Sequence, residues 1–128
     1  MPKQQITPPG GKTLGAYSLA IATGDLVFLS GQIGLDAATG KPVDGGVTAQ
    51  AKQALENLKA VLAAAGLSFA HVVKTTIFLT DMADFTAVND VYKSYMVEPF
   101  PARSTIAVAA LPAGAKVEIE MIASRSAI

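Results

Sequence analysis

The apolar positions of this chain fall into short β-prone runs and two longer runs with the spacing of a helix. The β-prone runs are residues 17–22, 26–33, 71–79, 104–110 and 117–123. In the last of these, apolar and polar positions alternate, so Glu118 and Glu120 share the face opposite the apolar one. Residues 23–25, Thr-Gly-Asp, separate the first two runs and predict a short hairpin connection.

The clearest helical pattern covers residues 47–65, where apolar positions recur at steps of three and four. Its polar positions are expected to face away from the apolar stripe; they are Gln50, Gln53, Glu56, Asn57 and Lys59. Gly66 follows at the position of a left-handed C-cap, which would end the helix there.

A second helix is predicted after Asp81, whose carboxylate suits the N-cap, and Asp84 would add negative charge to its first turn. Its buried stripe is expected to consist of Phe85, Val88, Tyr92 and Tyr95. Asn89 lies beside that stripe.

The order of these elements is strand, strand, helix, strand, helix, strand, strand. Residues 1–12, rich in proline and glycine, are expected to form an extended arm, and residues 36–46 a loop. Strand–helix–strand units favour helices stacked on one face of a sheet, so we expect an α+β two-layer sandwich. The chain has 128 residues, which suits one domain over residues 1–128.

The composition narrows the range of possible functions. Hydrophobic residues make up 51% of the chain, enough for a core, and ten basic residues balance ten acidic ones. Without a basic stripe, a nucleic-acid partner is not expected. The absence of cysteine excludes thiol catalysis and thiolate metal sites, and is compatible with the cytoplasmic location that we expect. The longest apolar run, residues 106–112, is too short to span a bilayer, and no secretory signal is visible at the N-terminus.

Candidate chemistry concentrates in residues 98–120. Pro99 and Pro101 stop the preceding helix, and Arg103 begins the next strand. On its own, an arginine at a strand end is most often a solvated charge or an ion-pair partner, and alternating glutamates most often mark a solvent-facing side. The single histidine, His71, is expected at a loop or strand end, because no cysteine or second histidine could share a metal with it.

Several separated motifs favour a functional role for this segment. They are Gly-Ala-Tyr-Ser at 15–18, Phe-Leu-Ser-Gly-Gln-Ile at 28–33, Glu-Asn-Leu at 56–58, residues 76–81, Val-Asn at 88–89, Pro-Ala-Arg-Ser-Thr at 101–105, Ala-Ala-Leu-Pro at 109–112 and Val-Glu-Ile-Glu at 117–120. In this order they resemble the Rid family, also known as the YjgF family, over essentially the whole chain.

The resemblance implies a fold and an activity. The implied fold is chorismate-mutase-like, with a mixed sheet, both helices on one face, the last strand inside the sheet, and three chains in a homotrimer with clefts between subunits. The implied reaction is hydrolysis of 2-imino acids, the tautomers of 2-aminoacrylate and 2-aminocrotonate, to 2-keto acids and ammonia, with neither a metal nor a cofactor.

The resemblance also implies residue roles. Arg103 corresponds to a carboxylate-binding arginine and Glu120 to a water-positioning glutamate. Tyr17, Ser30 and Asn89 correspond to pocket residues, and backbone N–H groups of Gly31 and Thr105 would complete the site. The chain departs from common family residues at three positions, with Ala16 for proline, Leu19 for glutamine and Thr105 for cysteine.

The sequence leaves open how far apart Arg103 and Glu120 lie. If residues 104–110 and 117–123 formed a simple hairpin, Arg103 and Glu120 would lie more than about 10 Å apart at ~3.4 Å per residue. Either the two strands are not neighbours, or the pocket draws on a second chain. The main alternative function is a non-catalytic module that binds small carboxylates such as 2-keto acids. An RNA-directed activity fits poorly with the zero net charge, and chorismate mutase would share only the implied fold.

Overall fold

A computed structural model describes residues 2–13 and 15–128 of the chain. It contains two α-helices, six strands and three short 3-10 turns. The strands and helices are β1 (Gln4–Ile6), β2 (Ala20–Thr23), β3 (Leu26–Ile33), α1 (Gly46–Ala64), β4 (Val72–Leu79), α2 (Phe85–Tyr95), β5 (Ala102–Ala107) and β6 (Val117–Ser124). The 3-10 turns are Phe69–His71, Met82–Asp84 and Pro112–Gly114.

The six strands form one mixed sheet in the order β1-β2-β3-β6-β4-β5. Strands β4 and β5 run parallel, whereas the other neighbours are antiparallel. Helix α1 packs against β3, β6 and α2, which confirms the α+β sandwich with its helices on one face. Because β4 separates β5 from β6, the strands that carry Arg103 and Glu120 are not neighbours, and the last strand does lie inside the sheet.

The core lies between the helices and one face of the sheet. In β6 the inward side chains of Val117, Ile119, Met121 and Ala123 are at most 1% exposed. They pack with Leu55, Leu58 and Leu62 of α1 in the same cluster. Each fully buried side chain of this size stabilises the fold by about 1.5–3 kcal/mol. The opposite sheet face, which we call the open face, exposes Leu26 and Phe28.

The N-terminal arm contains a strand that the sequence did not predict. Gln4 pairs with Ala22 and Ile6 with Ala20, so β1 extends the sheet at its edge. Its two glutamines are exposed and Ile6 is only half-buried, so the segment lacks the alternating apolar signal of a half-buried strand. Residue 1 of the predicted arm lies outside the described residues.

Several predicted boundaries shift. Residues 17–19 precede β2, residues 108–110 follow β5, and His71 ends a 3-10 turn before β4. Asp81 does act as a cap, although it accepts the Ala83 N–H at 2.9 Å on the 3-10 turn that leads into α2. The left-handed Gly66 is confirmed, with a φ of 75°.

Two burial predictions are wrong. Gln50 does not face away from the core: it is 7% exposed, and its Oε1 accepts a 2.8 Å hydrogen bond from the Lys116 N–H. This bond ties α1 to the loop before β6, which explains why a polar residue is buried there. On α2, Val88 and Tyr92 are buried as predicted, but Phe85 is exposed, and Val91 is buried instead. Of the described residues, none belongs to a helix with both the length and the apolar character that a membrane crossing requires.

Candidate functional site

Arg103 lies on the helix-facing side of edge strand β5. It pairs with Thr75 of β4, which is fully buried under the helices. Its Nη1 donates a 2.6 Å hydrogen bond to Oδ1 of Asn89 on α2. The guanidinium carbon lies 5.0 Å from the ring centroid of Tyr92 and 5.5 Å from that of Phe85, within cation–π range. Two aromatic rings and one amide therefore hold a cation at an exposed edge.

Thr105 follows two residues later on the same face, paired with Ile77. Its Oγ1 is buried and finds no hydrogen-bond partner within residues 2–13 and 15–128. Together with Arg103 and Asn89 it lines a narrow crevice, here called the arginine crevice. The full lining is Ile77, Leu79, Phe85, Val88, Asn89, Arg103 and Thr105.

Glu120 lies in a different cleft, on the open face. It pairs with Thr76, the residue after the partner of Arg103. Tyr17 and Ser30 line the same cleft, here called the glutamate cleft, which has a volume of about 420 Å³. The Ser30 hydroxyl donates to the Ser18 carbonyl at 2.6 Å, so its oxygen can still accept a hydrogen bond from a ligand.

Gly31 follows Ser30, which lines the glutamate cleft. The register between β3 and β6 shifts between Leu29 and Gln32, which is typical of a β-bulge at this point of the strand. A Cβ on Gly31 would lie 2.8 Å from Cδ of Glu118. The Glu118 carboxyl group therefore packs over the glycine backbone, and no larger residue fits without displacing it.

Glu118 is the candidate that the sequence analysis passed over. Burial raises the pKa of its carboxyl group above the ordinary value, and the negative charge of Glu120 raises the pKa further. A carboxyl group that holds its proton more tightly than usual is a candidate for proton transfer. The alternation in Val-Glu-Ile-Glu already placed both glutamates on one face, and that was the signal available.

The candidate residues thus form two half-sites on opposite faces of the sheet. Arg103, Asn89 and Thr105 lie at the arginine crevice, whereas Tyr17, Ser30, Gly31 and Glu120 lie at or beside the glutamate cleft. One chain does not bring the two groups together, because consecutive residues of β4 face opposite ways. Of the two possibilities left open by the sequence, the first is confirmed, because the strands that carry Arg103 and Glu120 are not neighbours, and a pocket drawn from a second chain stays a prediction.

His71 has a local structural contact, since its Nδ1 accepts a 3.1 Å hydrogen bond from the Ser68 N–H and caps the 3-10 turn. Among the described residues, histidine and acidic side chains nowhere gather in a group of three or more that could hold a metal ion.

Comparison with known proteins gives consistent matches. Residues 9–125 match the family model described as endoribonuclease L-PSP. Protein DfrA of Myxococcus xanthus is 57% identical over 114 residues, which are 88% of this chain and 87% of that protein. A 2-iminobutanoate/2-iminopropanoate deaminase of Capra hircus is 53% identical over 110 residues, which are 86% of this chain and 80% of that protein.

Among solved structures, E. coli TdcF with bound serine superimposes with a TM-score of 0.86. It is 39% identical and covers 96% of this chain and 99% of its own.

Proposed function

Because this chain belongs to the Rid family, we propose that it is an imine deaminase that hydrolyses 2-iminobutanoate and 2-iminopropanoate to 2-keto acids and ammonia. The observation that carries the proposal is the pair of half-sites, one built around a held cation and the other around Glu120, whose negative charge helps to raise the pKa of Glu118. The deaminase name of relatives such as the goat protein supports the substrate class.

The arginine half-site would bind the substrate carboxylate. A guanidinium presents a fork of N–H donors that matches a carboxylate, and such a charge-assisted contact contributes about 1.5–3 kcal/mol. One Nη of Arg103 is already committed to Asn89, which leaves the remaining donors for a ligand. The backbone N–H of Thr105 is proposed as a further donor to the same group.

The glutamate half-site would deliver water to the C=N carbon. Glu120 accepts a hydrogen bond from the water and orients it, while the Tyr17 and Ser30 hydroxyl groups line the cleft. Glu118, with its raised pKa, exchanges the proton. Water adds to the imine carbon as one of its protons passes to a carboxylate and a carboxyl group protonates the imine nitrogen, which gives an aminoalcohol. The carboxyl pair then takes the hydroxyl proton and protonates the nitrogen, the C–N bond breaks, and the products are the 2-keto acid and ammonia.

The two half-sites require two chains to act on one substrate. We propose the homotrimer that the family resemblance implies, in which the arginine crevice of one subunit faces the glutamate cleft of the next. The exposed side chains of Leu26 and Phe28 on the open face give an apolar surface for such packing. The rate enhancement needed is small, since imines hydrolyse readily in water and each tenfold corresponds to ~1.4 kcal/mol.

A coupled assay tests the activity. A pyridoxal-phosphate dehydratase generates 2-aminoacrylate from serine or 2-aminocrotonate from threonine, and release of the 2-keto acid is timed with and without this protein. We expect faster release from both precursors. If neither reaction is accelerated while 2-ketobutyrate still binds, the binding-module alternative takes the place of the enzyme.

An RNA-cleaving activity, which the description of the family model names, is a separate candidate. The ten acidic residues balance the ten basic ones, so the chain lacks the overall positive charge that attracts a phosphate backbone. Incubation with single-stranded RNA under the assay conditions serves as the control, and we expect the RNA to stay intact.

A further inference from the structure

Tyr92 of α2 lies directly behind the cation of the arginine crevice, although it does not line the crevice itself. Its side chain is 4% exposed, and its ring centroid lies 5.0 Å from the guanidinium carbon of Arg103. The electron-rich face of a buried aromatic ring attracts a cation by about 0.5–2 kcal/mol. Because Tyr92 is buried and does not line the crevice, it can support Arg103 but would not contact a ligand.

The orientation of the Tyr92 ring is itself fixed. The Tyr92 hydroxyl and Oγ1 of Thr75 share a 2.8 Å hydrogen bond in the core, and Thr75 is fully buried. Thr75 is also the β4 residue that pairs with Arg103 on β5. The same threonine therefore fixes the ring through its side chain and neighbours the arginine through its backbone.

We infer that Tyr92 and Thr75 are positioning residues, which hold the Arg103 guanidinium in the orientation that receives the substrate carboxylate. A long, flexible side chain at an exposed strand edge loses conformational freedom when it binds a ligand, and holding it beforehand reduces that cost. Asn89 holds one Nη by a hydrogen bond, while the Tyr92 ring attracts the guanidinium from the core side. The functional part of this inference rests on the proposed carboxylate-binding role of Arg103.

The order of Arg103 can be measured without any activity. The chain contains two arginines, Arg103 and Arg125, and Arg125 near the C-terminus is exposed. In ¹⁵N-labelled protein, the Arg103 Nε–H signal should be displaced by the ring currents, and Arg125 serves as the internal control. Tyr92→Leu should move the Arg103 signal towards that of Arg125, whereas Tyr92→Phe, which keeps the ring, should move it less.

Tyr95 provides a matched control on the same helix. Its ring packs edge-on against Phe69 at 5.9 Å, and its hydroxyl donates to Glu56 rather than to the strand below Arg103. Tyr95→Leu removes a ring of the same size and lowers stability, but it should leave the Arg103 signal unchanged. Thr75→Ser should keep the Tyr92 hydrogen bond, and Thr75→Val should break it.

Binding separates positioning from general damage. By calorimetry, Tyr92→Leu should weaken 2-ketobutyrate binding about tenfold and leave binding of its uncharged methyl ester unchanged. In an Arg103→Ala background the same change should have no further effect on the acid.

An Arg103 signal that does not respond to Tyr92→Leu, or equal losses for acid and ester, would overturn the inference. If the Arg103 signal responds but imines are not hydrolysed, the positioning role stands and the proposed enzyme activity fails.

Discussion

Arg103 and Glu120 lie on opposite faces of one sheet, paired with Thr75 and Thr76, two consecutive residues of β4. The side chains of successive residues in a strand point to opposite faces of the sheet, so Arg103 and Glu120, which pair with successive residues, also point to opposite faces. A catalytic pair built from these residues therefore has to come from two chains.

Mixing two inactive variants tests that requirement. Arg103→Ala removes the cation, and Glu118→Gln with Glu120→Gln in a second chain removes both carboxylates. When the two are unfolded, mixed in equal amounts and refolded, about one quarter of the interfaces should pair an intact crevice with an intact cleft. We expect about a quarter of the wild-type deaminase activity.

The same two proteins mixed without unfolding provide the control. An inactive refolded mixture that has wild-type size by light scattering would argue for a site contained within one subunit.

The two glutamates are expected to differ in their roles. Glu120→Ala should abolish imine hydrolysis. Binding of 2-ketobutyrate should be retained, because Arg103 can still bind its carboxylate. Glu118→Gln should lower kcat by about 10²–10⁴-fold, the usual contribution of a positioned acid or base. Steady-state kinetics with calorimetry separates binding from turnover, and turnover that survives Glu120→Ala would remove the water-positioning role.

The raised pKa of Glu118 predicts a pH effect on stability. The folded protein holds this proton more tightly than the unfolded chain, whose carboxyl titrates near the ordinary value of 4.5. Stability should therefore fall as pH rises from that value through the raised pKa, and Glu118→Gln should remove this component. Urea denaturation at a series of pH values measures it.

The contribution of Glu120 to the raised pKa of Glu118 can be measured separately. Glu120→Gln removes one negative charge beside Glu118, so the Glu118 carboxyl should titrate at lower pH by ¹³C NMR. It should stay above 4.5 because burial, the larger cause, remains. An unchanged titration curve would show that the two carboxyl groups are not coupled.

Gly31→Ala adds only one methyl group, but it should lower both the stability and the deaminase activity of the protein. The new methyl group would meet the Glu118 carboxyl, and overpacking of this kind costs about 1–3 kcal/mol. We expect a lower midpoint of thermal unfolding together with loss of deaminase activity. Gly31→Ala combined with Glu118→Ala should recover the stability but not the activity.

Gly15→Ala is the matched control for stability, since a Cβ there makes only ordinary contacts of 3.7 and 3.8 Å with the Tyr17 ring. A melting temperature that falls equally for both single variants would contradict the steric explanation.

Thr105 and Thr75 should respond in opposite directions to the same substitution. The Thr105 hydroxyl is buried without a partner among the described residues, so Thr105→Val should raise the free energy of unfolding by up to about 1 kcal/mol. Thr75→Val leaves the Tyr92 hydroxyl unpaired and should cost about 1–3 kcal/mol.

The activity of Thr105→Val tests which Thr105 group binds substrate. If the backbone N–H is the ligand-binding group, kcat/KM should stay close to wild type. A large rise in KM would assign the role to the side-chain hydroxyl instead.

The sequence predicted the elements that bury a periodic face, including α1, β3, β4 and β6. It missed β1, whose residues are held by backbone pairing rather than by an apolar stripe. It also placed Gln50 on the surface, because the partner of that side chain, the Lys116 N–H, lies 66 residues away. Local pattern carries no information about such a distant hydrogen bond.

The site was predictable in composition but not in arrangement. Alternation placed Glu118 and Glu120 together, yet only the packing over Gly31 singles out Glu118. The separation of Arg103 from Glu120 depends on β4 lying between β5 and β6, which is a property of the whole sheet.

The central place of β6 has a consequence for how the chain is made. β6 pairs with both β3 and β4, so no strand pairing connects the two parts of the sheet until β6 has been synthesised. Nascent chains that stall before residue 117 would present the unpaired edges of β3 and β4 to solvent, and unpaired strand edges promote aggregation.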